Sequence, residues 1–127
     1  GVGTMAGGQH TRRGCSSSTN GYSYRTYYAT EIDTFSFASS GFTSSVAGYM
    51  WNDRGGMGTA SSTAYGYSAG GHEPGIGGRV YIDKFSFVSG GTATDIGDLT
   101  SPQNNTSGQS SETNGFITGG LVVIKIF

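Results

Sequence analysis

The chain repeats itself, and a repeat of this period restricts the possible fold more than any other feature it carries. Ser17-Ser18-Thr19-Asn20-Gly21-Tyr22, Ser62-Thr63-Ala64-Tyr65-Gly66-Tyr67 and Ser111-Glu112-Thr113-Asn114-Gly115-Phe116 superpose on a Gly-aromatic step, with the glycines 45 and 49 residues apart. The same offsets pair Gly3 with Gly48 and Gly97, and Met5 with Met50 and Leu99. Ile32-Asp33-Thr34-Phe35-Ser36-Phe37 recurs fifty residues later as Ile82-Asp83-Lys84-Phe85-Ser86-Phe87. A single domain, 1–127, is therefore expected, made of a half-unit 1–24, units 25–71 and 72–120, and a terminal strand 121–127. Val122-Val123-Ile124-Lys125-Ile126-Phe127 aligns with Val80 to Phe85, which puts Lys125 at the position of Asp33 and Asp83. It reads as the start of a further copy whose remainder lies at the N-terminus, where Val2 matches Ile96.

Each unit reads as β-strands. Ile32 and Ile82 alternate with Phe35, Phe37, Phe85 and Phe87, so both faces of these segments carry apolar groups, the pattern of a strand held between two sheets. No window of helical length keeps apolar residues at i, i+3, i+4 and i+7, and Gly interrupts nearly every candidate, so no helix is expected. The Gly/Ser-rich stretches 39–45, 89–94 and 101–108 read as turns. With 24 Gly, 18 Ser and 15 Thr, nearly half the chain has almost no side-chain volume. The 13% aromatic content must then supply most of the core. A net charge of -1 separates this composition from that of disordered chains.

The same arithmetic removes several functions. Seven Lys+Arg against eight Asp+Glu leave no cationic surplus for phosphates, so no nucleic-acid partner is expected. The longest apolar run, Leu121 to Ile124, is far short of a bilayer span, and the N-terminus lacks a charged-then-apolar signal pattern, so no membrane insertion is expected. Cys15 stands alone, which excludes an internal disulfide and a cysteine-cluster metal site.

Val80 to Phe85, the loop to Leu99, Gly108-Gln109-Ser110-Ser111, Asn114-Gly115-Phe116 and Gly119-Gly120 together resemble kelch-type propeller repeats over nearly the whole chain. More narrowly, Ile82 to Phe87, Thr92 to Leu99 and Gly108 to Ser111 resemble kelch-like repeats of tailed phages, marine and cyanobacterial ones in particular, in tail-fibre or other virion proteins. The resemblance implies an all-β fold of propeller blades, with a pseudo-threefold β-trefoil or β-prism as the alternative. Three blades do not close a ring, since propellers run from about four to eight. An oligomer is the expected remedy, with Val122, Val123, Ile124, Lys125, Ile126 and Phe127 as the strand that closes it. The sequence departs from the pattern where Phe35 and Phe85 replace Trp and where the first unit lacks a double glycine after Tyr22.

Catalytic patterns are thin. Gly66-Tyr67-Ser68-Ala69-Gly70 fits a nucleophile elbow, but the next unit reads Gly115-Phe116-Ile117-Thr118-Gly119 and no helix follows. His10 and His72 lack ligand company, and neighbours such as His72 and Glu73 face opposite ways on a strand. Asp33 and Asp83 occupy equivalent positions, so a shared structural duty such as binding turn amides explains both. The carboxylates of Asp95 and Asp98 are not repeated in the other units, so a calcium site is not expected. The arginines occupy different repeat positions, unlike the cluster of a sialidase-type propeller. The expectation is no enzyme, no metal and no cofactor.

Surface recognition is left, carried by loop residues that break the repeat: Trp51, Asn52, Asp53 and Arg54, then Tyr27 and Tyr28, then His72 and Glu73. A ring offers apolar area while neighbouring amide, carboxylate and guanidinium groups fix orientation. The expected role is a non-enzymatic virion module, a tail fibre, adhesin or decoration protein at the virion surface or otherwise extracellular. It would assemble as a homo-oligomer or with another virion protein and meet a host-surface glycan or protein. A kelch-type interaction adaptor and a sugar-binding lectin are the alternatives.

Overall fold

The computed structural model describes residues 12–39, 44–119 and 122–127. All regular structure in them is β, and no sheet closes into a barrel. The first sheet is an antiparallel meander of β1 (Arg12–Ser16), β2 (Asn20–Arg25), β3 (Glu31–Ser36) and β4 (Ser45–Tyr49). The second repeats it with β5 (Gly58–Ser61) and β6 (Tyr65–Ala69), a small inserted hairpin of β7 (His72–Glu73) and β8 (Gly77–Gly78), then β9 (Tyr81–Ser86). Before its last strand the chain crosses to the first sheet, where β10 (Gly91–Thr92) pairs parallel with β4, and it returns as β11 (Thr94–Asp98). The third sheet is β12 (Ser107–Ser110), β13 (Gly115–Gly119) and β14 (Val122–Lys125). Sheet boundaries thus fall at a different phase from units divided at 24/25 and 71/72, since the first division falls inside β2 and the second separates the paired strands β6 and β9. The N-terminal complement, Val2 to Met5 with His10, lies outside the described residues.

The repeated sequence makes a repeated turn. At the three first hairpins the N–H of Ser17, Ser62 and Ser111 donates to the carbonyl of Asn20, Tyr65 and Asn114, each at 2.9 Å. The same serine hydroxyls accept from the N–H of those residues at 3.0, 3.2 and 3.1 Å. A Ser side chain bonded back to the turn amide replaces a backbone partner there, which explains why Ser opens all three tips.

The sheets stack face to face in chain order. Tyr22, Tyr24 and Ile32 of the first sheet pack with Met50, Met57 and Phe85 in one buried cluster, and Ala69 and Ile82 of the second pack with Leu99 and Ile117 in another. The second sheet is therefore covered on both faces, Phe85 on one and Ile82 on the other, as the two-sided apolar pattern requires. Ring stacking marks both interfaces: Tyr22 lies on Phe87 at 4.3 Å, and Tyr67 lies on Phe127 at 4.1 Å. Cys15 sits on the first of these faces against Tyr24, where burial, opposed by that hydrogen bond, pushes its thiol up to about 12.

Glycine lets the backbones approach. A Cβ at Gly108 would overlap the Thr59 carbonyl of the neighbouring sheet, and one at Gly21 or Gly115 would overlap the ring of Phe35 or Phe127. Aromatic rings lying over strand glycines recover the apolar contact that the glycine itself lacks.

Strand register corrects one alignment. Ile117 faces Ile124 just as Ser68 faces Asp83 and Ser23 faces Asp33, so Ile124, not Lys125, stands at the aspartate position. Lys125 faces Phe116 as Lys84 faces Tyr67. Alignment on the apolar residues misplaces the terminal segment by one position, because its pairing is set by the Gly-aromatic step of β13.

Gly108→Ala forces a methyl group into backbone rather than into a movable side chain. It is expected to lower unfolding free energy by about 1–3 kcal/mol, whereas Ser107→Ala, on an exposed neighbour, stays within about 0.5 kcal/mol. Urea denaturation of both variants measures the difference.

Candidate functional site

Alternation of strand direction sorts the loops into two ends. The serine tips share one end with the β3–β4 and β9–β11 connections, and the segments 26–30, 50–57, 70–80 and 99–106 share the other. All eight loop residues singled out from the sequence fall in this second group, and the structure brings them together. The Tyr28 N–H donates to Asp53 Oδ2 at 2.5 Å, and the Tyr27 ring lies against Gly55. Gly55 and His72 exchange two backbone hydrogen bonds, at 2.9 and 2.7 Å. Asn52 Nδ2 donates to Glu73 Oε2 at 3.4 Å, and Arg79 Nε donates to the same oxygen at 2.5 Å.

Within the cluster, Arg54 is not a surface group. It is 0% exposed, and its Nη2 donates to Asp83 Oδ2 at 2.6 Å and to Ser68 Oγ at 3.1 Å. The Trp51 indole N–H takes the other oxygen of Asp83 at 2.7 Å, and its ring meets Tyr81 edge-on at 5.0 Å. Arg54 thereby fastens the loop to the sheet beneath it. Trp51 does the same with its nitrogen while 42% of the residue remains exposed. Asp53 Oδ1 and Arg54 Nε are buried without a hydrogen-bond partner among the described residues.

The aspartates do not bind turn amides. Asp83 takes guanidinium and indole donors, and its equivalent Asp33 accepts from Arg12 Nη1 at 2.7 Å and from Arg25 Nε and Nη2 at 3.0 and 2.9 Å. Two of three units therefore hold a buried Ser-Asp pair under arginine, each supplied from a different place in the chain, and the third holds Ile117 and Ile124. Burial pushes the Asp83 carboxyl up to about 6, with the Arg54 charge and the Trp51 N–H opposing it. Burial also acts on Asp33, but hydrogen bonds from Arg25 and Arg12 outweigh it and hold that carboxyl below its ordinary range. Ser68, the would-be nucleophile, lies inside β6 with its hydroxyl bonded to Arg54, at no strand-to-helix turn.

Backbone geometry is unusual at Tyr27 and Tyr28, which have φ of 55° and 68°. Non-glycine residues in that region cost about 1–2 kcal/mol each. The conformation points Tyr28 outward, 86% exposed, beside the half-buried Trp51 loop.

At the opposite end the three serine tips converge. Ser16, Ser61 and Ser110, Ser17, Ser62 and Ser111, and Ser18, Thr63 and Glu112 line a cavity of about 350 Å³. These are three equivalent positions taken three times, a feature the repeat offsets contain but loop irregularity does not signal. Tyr81 and Arg79 carry no such signal, because each reads as ordinary strand composition, and the repeat marks Asp83 only as a structural position shared with Asp33. Among the described residues no group of three or more His, Cys, Asp or Glu side chains is placed to hold a metal ion, and no helix is long and apolar enough to cross a membrane. Compared with known proteins, the chain matches no family model and no curated sequence.

Removing Arg54 alone leaves a buried carboxylate without its counter-charge. Arg54→Met is expected to cost about 3–5 kcal/mol, and pairing it with Asp83→Ile, the residue type of the third unit, returns most of that loss. Thermal unfolding of the two variants decides it. The pH dependence separates the two aspartates. Asp83, raised above its unfolded value, imposes a cost that is fully present above about pH 6 and disappears as pH falls toward the unfolded carboxylate range near about 4. Asp33, lowered, contributes stability that is present above that range and lost as pH falls below it. Asp83→Asn should therefore remove the decline in stability between pH 4 and 6, and Asp33→Asn should flatten the acid limb below it. Unfolding curves across that range test both.

Proposed function

We propose that the chain is a non-enzymatic recognition and assembly module, a kelch-like stack of blade sheets from a virion tail fibre or adhesin that meets a surface glycan through its loop cluster. The kelch and phage assignments are carried by the repeat resemblance. One structural observation carries the recognition role: the braced, strained Tyr27-Tyr28 loop that keeps Tyr28 in solvent. Strain of this kind persists only where surrounding contacts over-determine it, and it concentrates at ligand clamps. Here the over-determining contacts are the Asp53 acceptor and the Gly55 shelf. A rigid exposed ring loses little entropy on binding, and the neighbouring Asn52, His72 and Glu73 supply hydroxyl-directed donors and acceptors. Trp51 extends the apolar platform, with its ring orientation set by Asp83.

This arrangement accounts for Arg54 and Asp83 as support rather than contact, since neither reaches the surface. It also separates recognition from stability at Tyr28. Tyr28→Gly relieves the left-handed backbone and loses the ring, so it is expected to leave the fold unchanged or up to about 1 kcal/mol more stable while abolishing glycan binding. Tyr28→Ala loses binding without that relief. A glycan array with the wild-type protein followed by titration of the two variants is the test. Absence of any array signal, or full retention of binding by both variants, rejects the glycan role.

A further inference from the structure

Sheet-to-sheet packing through aromatic rings occurs twice within the chain, and the two positions that make the first of these contacts recur, partly exposed, on the outer sheets. Register makes the equivalences explicit: Tyr22, Tyr67 and Phe116 share one position, and Phe37 and Phe87 share another. Tyr22 covers Phe87 and Tyr67 covers Phe127, with ring planes 14° and 17° apart. Phe116 is 37% exposed on the outer face of the third sheet, beside Val123 at 67%, and Phe37 is 55% exposed on the outer face of the first.

From this repetition we propose that the Phe116–Val123 face of one copy docks on the Phe37 face of a second copy, head to tail, with Phe116 stacking on Phe37 as Tyr22 stacks on Phe87. The proposal deepens the assembly part of the role above and rests on it. The receiving face is grooved. A groove of about 520 Å³ runs along it beside Gly14, Gly21, Ser23 and Phe37. Their counterparts in the second sheet are Thr59, Gly66, Ser68 and Phe87. There the Tyr24 hydroxyl and Cys15 Sγ of the first sheet lie over Gly66, whereas over Gly21 the ring of Phe35 already stands and would be the surface that an incoming copy meets. The incoming positions equivalent to Tyr24 and Cys15 are Thr118 and Gln109. The contact is heterologous, joining two different patches, so it propagates into a ring or a filament according to whether its rotation closes. This route differs from edge pairing by Val122 to Phe127, because it joins faces rather than strand edges.

Single-cysteine chains test it, made in a Cys15→Ala background because Ala60 holds that position in the second unit. A mixture of the Phe37→Cys and Phe116→Cys proteins under mild oxidant should yield a disulfide-linked dimer that contains one of each, while the double variant forms linked multimers. If the double variant links only within its own chain, or if the mixture does not link, the second-copy interface is overturned. Sedimentation provides an independent arm. Phe116→Glu, an exposed substitution checked for an unchanged fold by circular dichroism, should weaken self-association at least about tenfold. A wild-type protein that stays monomeric up to about 1 mM also overturns the interface. Glycan binding by Phe116→Glu is scored separately. A monomeric variant that binds at single sites keeps both inferences, whereas an assembling protein with no glycan signal removes only the recognition role.

Discussion

Close approach of sheets at glycine, with an aromatic ring from a neighbouring strand or sheet filling the space a side chain would have taken, is the contact on which the structure depends. Gly21 lies under Phe35, Gly48 under Phe85, Gly55 under Tyr27 and Gly115 under Phe127. The excess of glycine and the reliance on aromatics are therefore two halves of one packing device. A chain so poor in aliphatic volume reaches interior density only if its few large rings are each shared between backbones. Gly108 also faces a backbone carbonyl of the neighbouring sheet and Gly48 one of its paired strand β10, so no side-chain adjustment makes room for a Cβ there.

The position facing Ser23, Ser68 and Ile117 shows how one scaffold tolerates different chemistry. Between the first and second sheets it holds Asp83 under a fully buried arginine, and between the second and third it holds Ile124 in an apolar cluster. A buried ion pair gains little net stability over well-packed apolar residues, because desolvation consumes most of the Coulombic attraction. What the pair adds is direction. Arg54 leaves the inter-sheet connection and ends on a carboxylate in the sheet, so the connection has one path, and Trp51 and Asn52 are placed by it. Between the second and third sheets, where the connection is 99–106, Leu99 joins Ile117 and Ile124 in an apolar contact instead.

Much of this was legible because repetition constrains more than composition does. The three hairpin tips, the two-sided strand at Ile82 and Phe85, and the absence of helix among the described residues all follow from the Gly-aromatic step and its spacing. The convergence of the irregular loops was also implicit, since each lies an even number of strand reversals from the others. The partners of the aspartates were not. Arg12, Arg25 and Arg54 sit at unrelated repeat positions, so no alignment of the chain with itself pairs them with Asp33 and Asp83. Self-alignment misplaces the terminal strand for a related reason: a six-residue segment that is apolar but for Lys125 fits several offsets, and only cross-strand pairing with Phe116 and Ile117 distinguishes them. Left-handed backbone at two successive tyrosines has no sequence signature, because it is imposed from outside by Asp53 and Gly55.

In the proposed assembly, the direction of growth would relate assembly to recognition. Sheets that stack through their faces extend the structure perpendicular to the strands, so loops at strand ends are never covered by the next sheet, however many are added. Each further copy would bring its own Tyr28–Trp51 loop cluster to the same side and its serine tips to the other. A single exposed platform binds a sugar surface weakly, since little area is buried against the entropy of association. A row of identical platforms on a rigid stack turns each later contact into an intramolecular one, and avidity then rises without any new contact being made. Rigidity is what makes that gain available. The buried Arg54–Asp83 tie and the strained but braced Tyr27-Tyr28 turn fasten the loop cluster to the sheet, so in the proposed assembly the spacing between platforms would be set by the sheet stack.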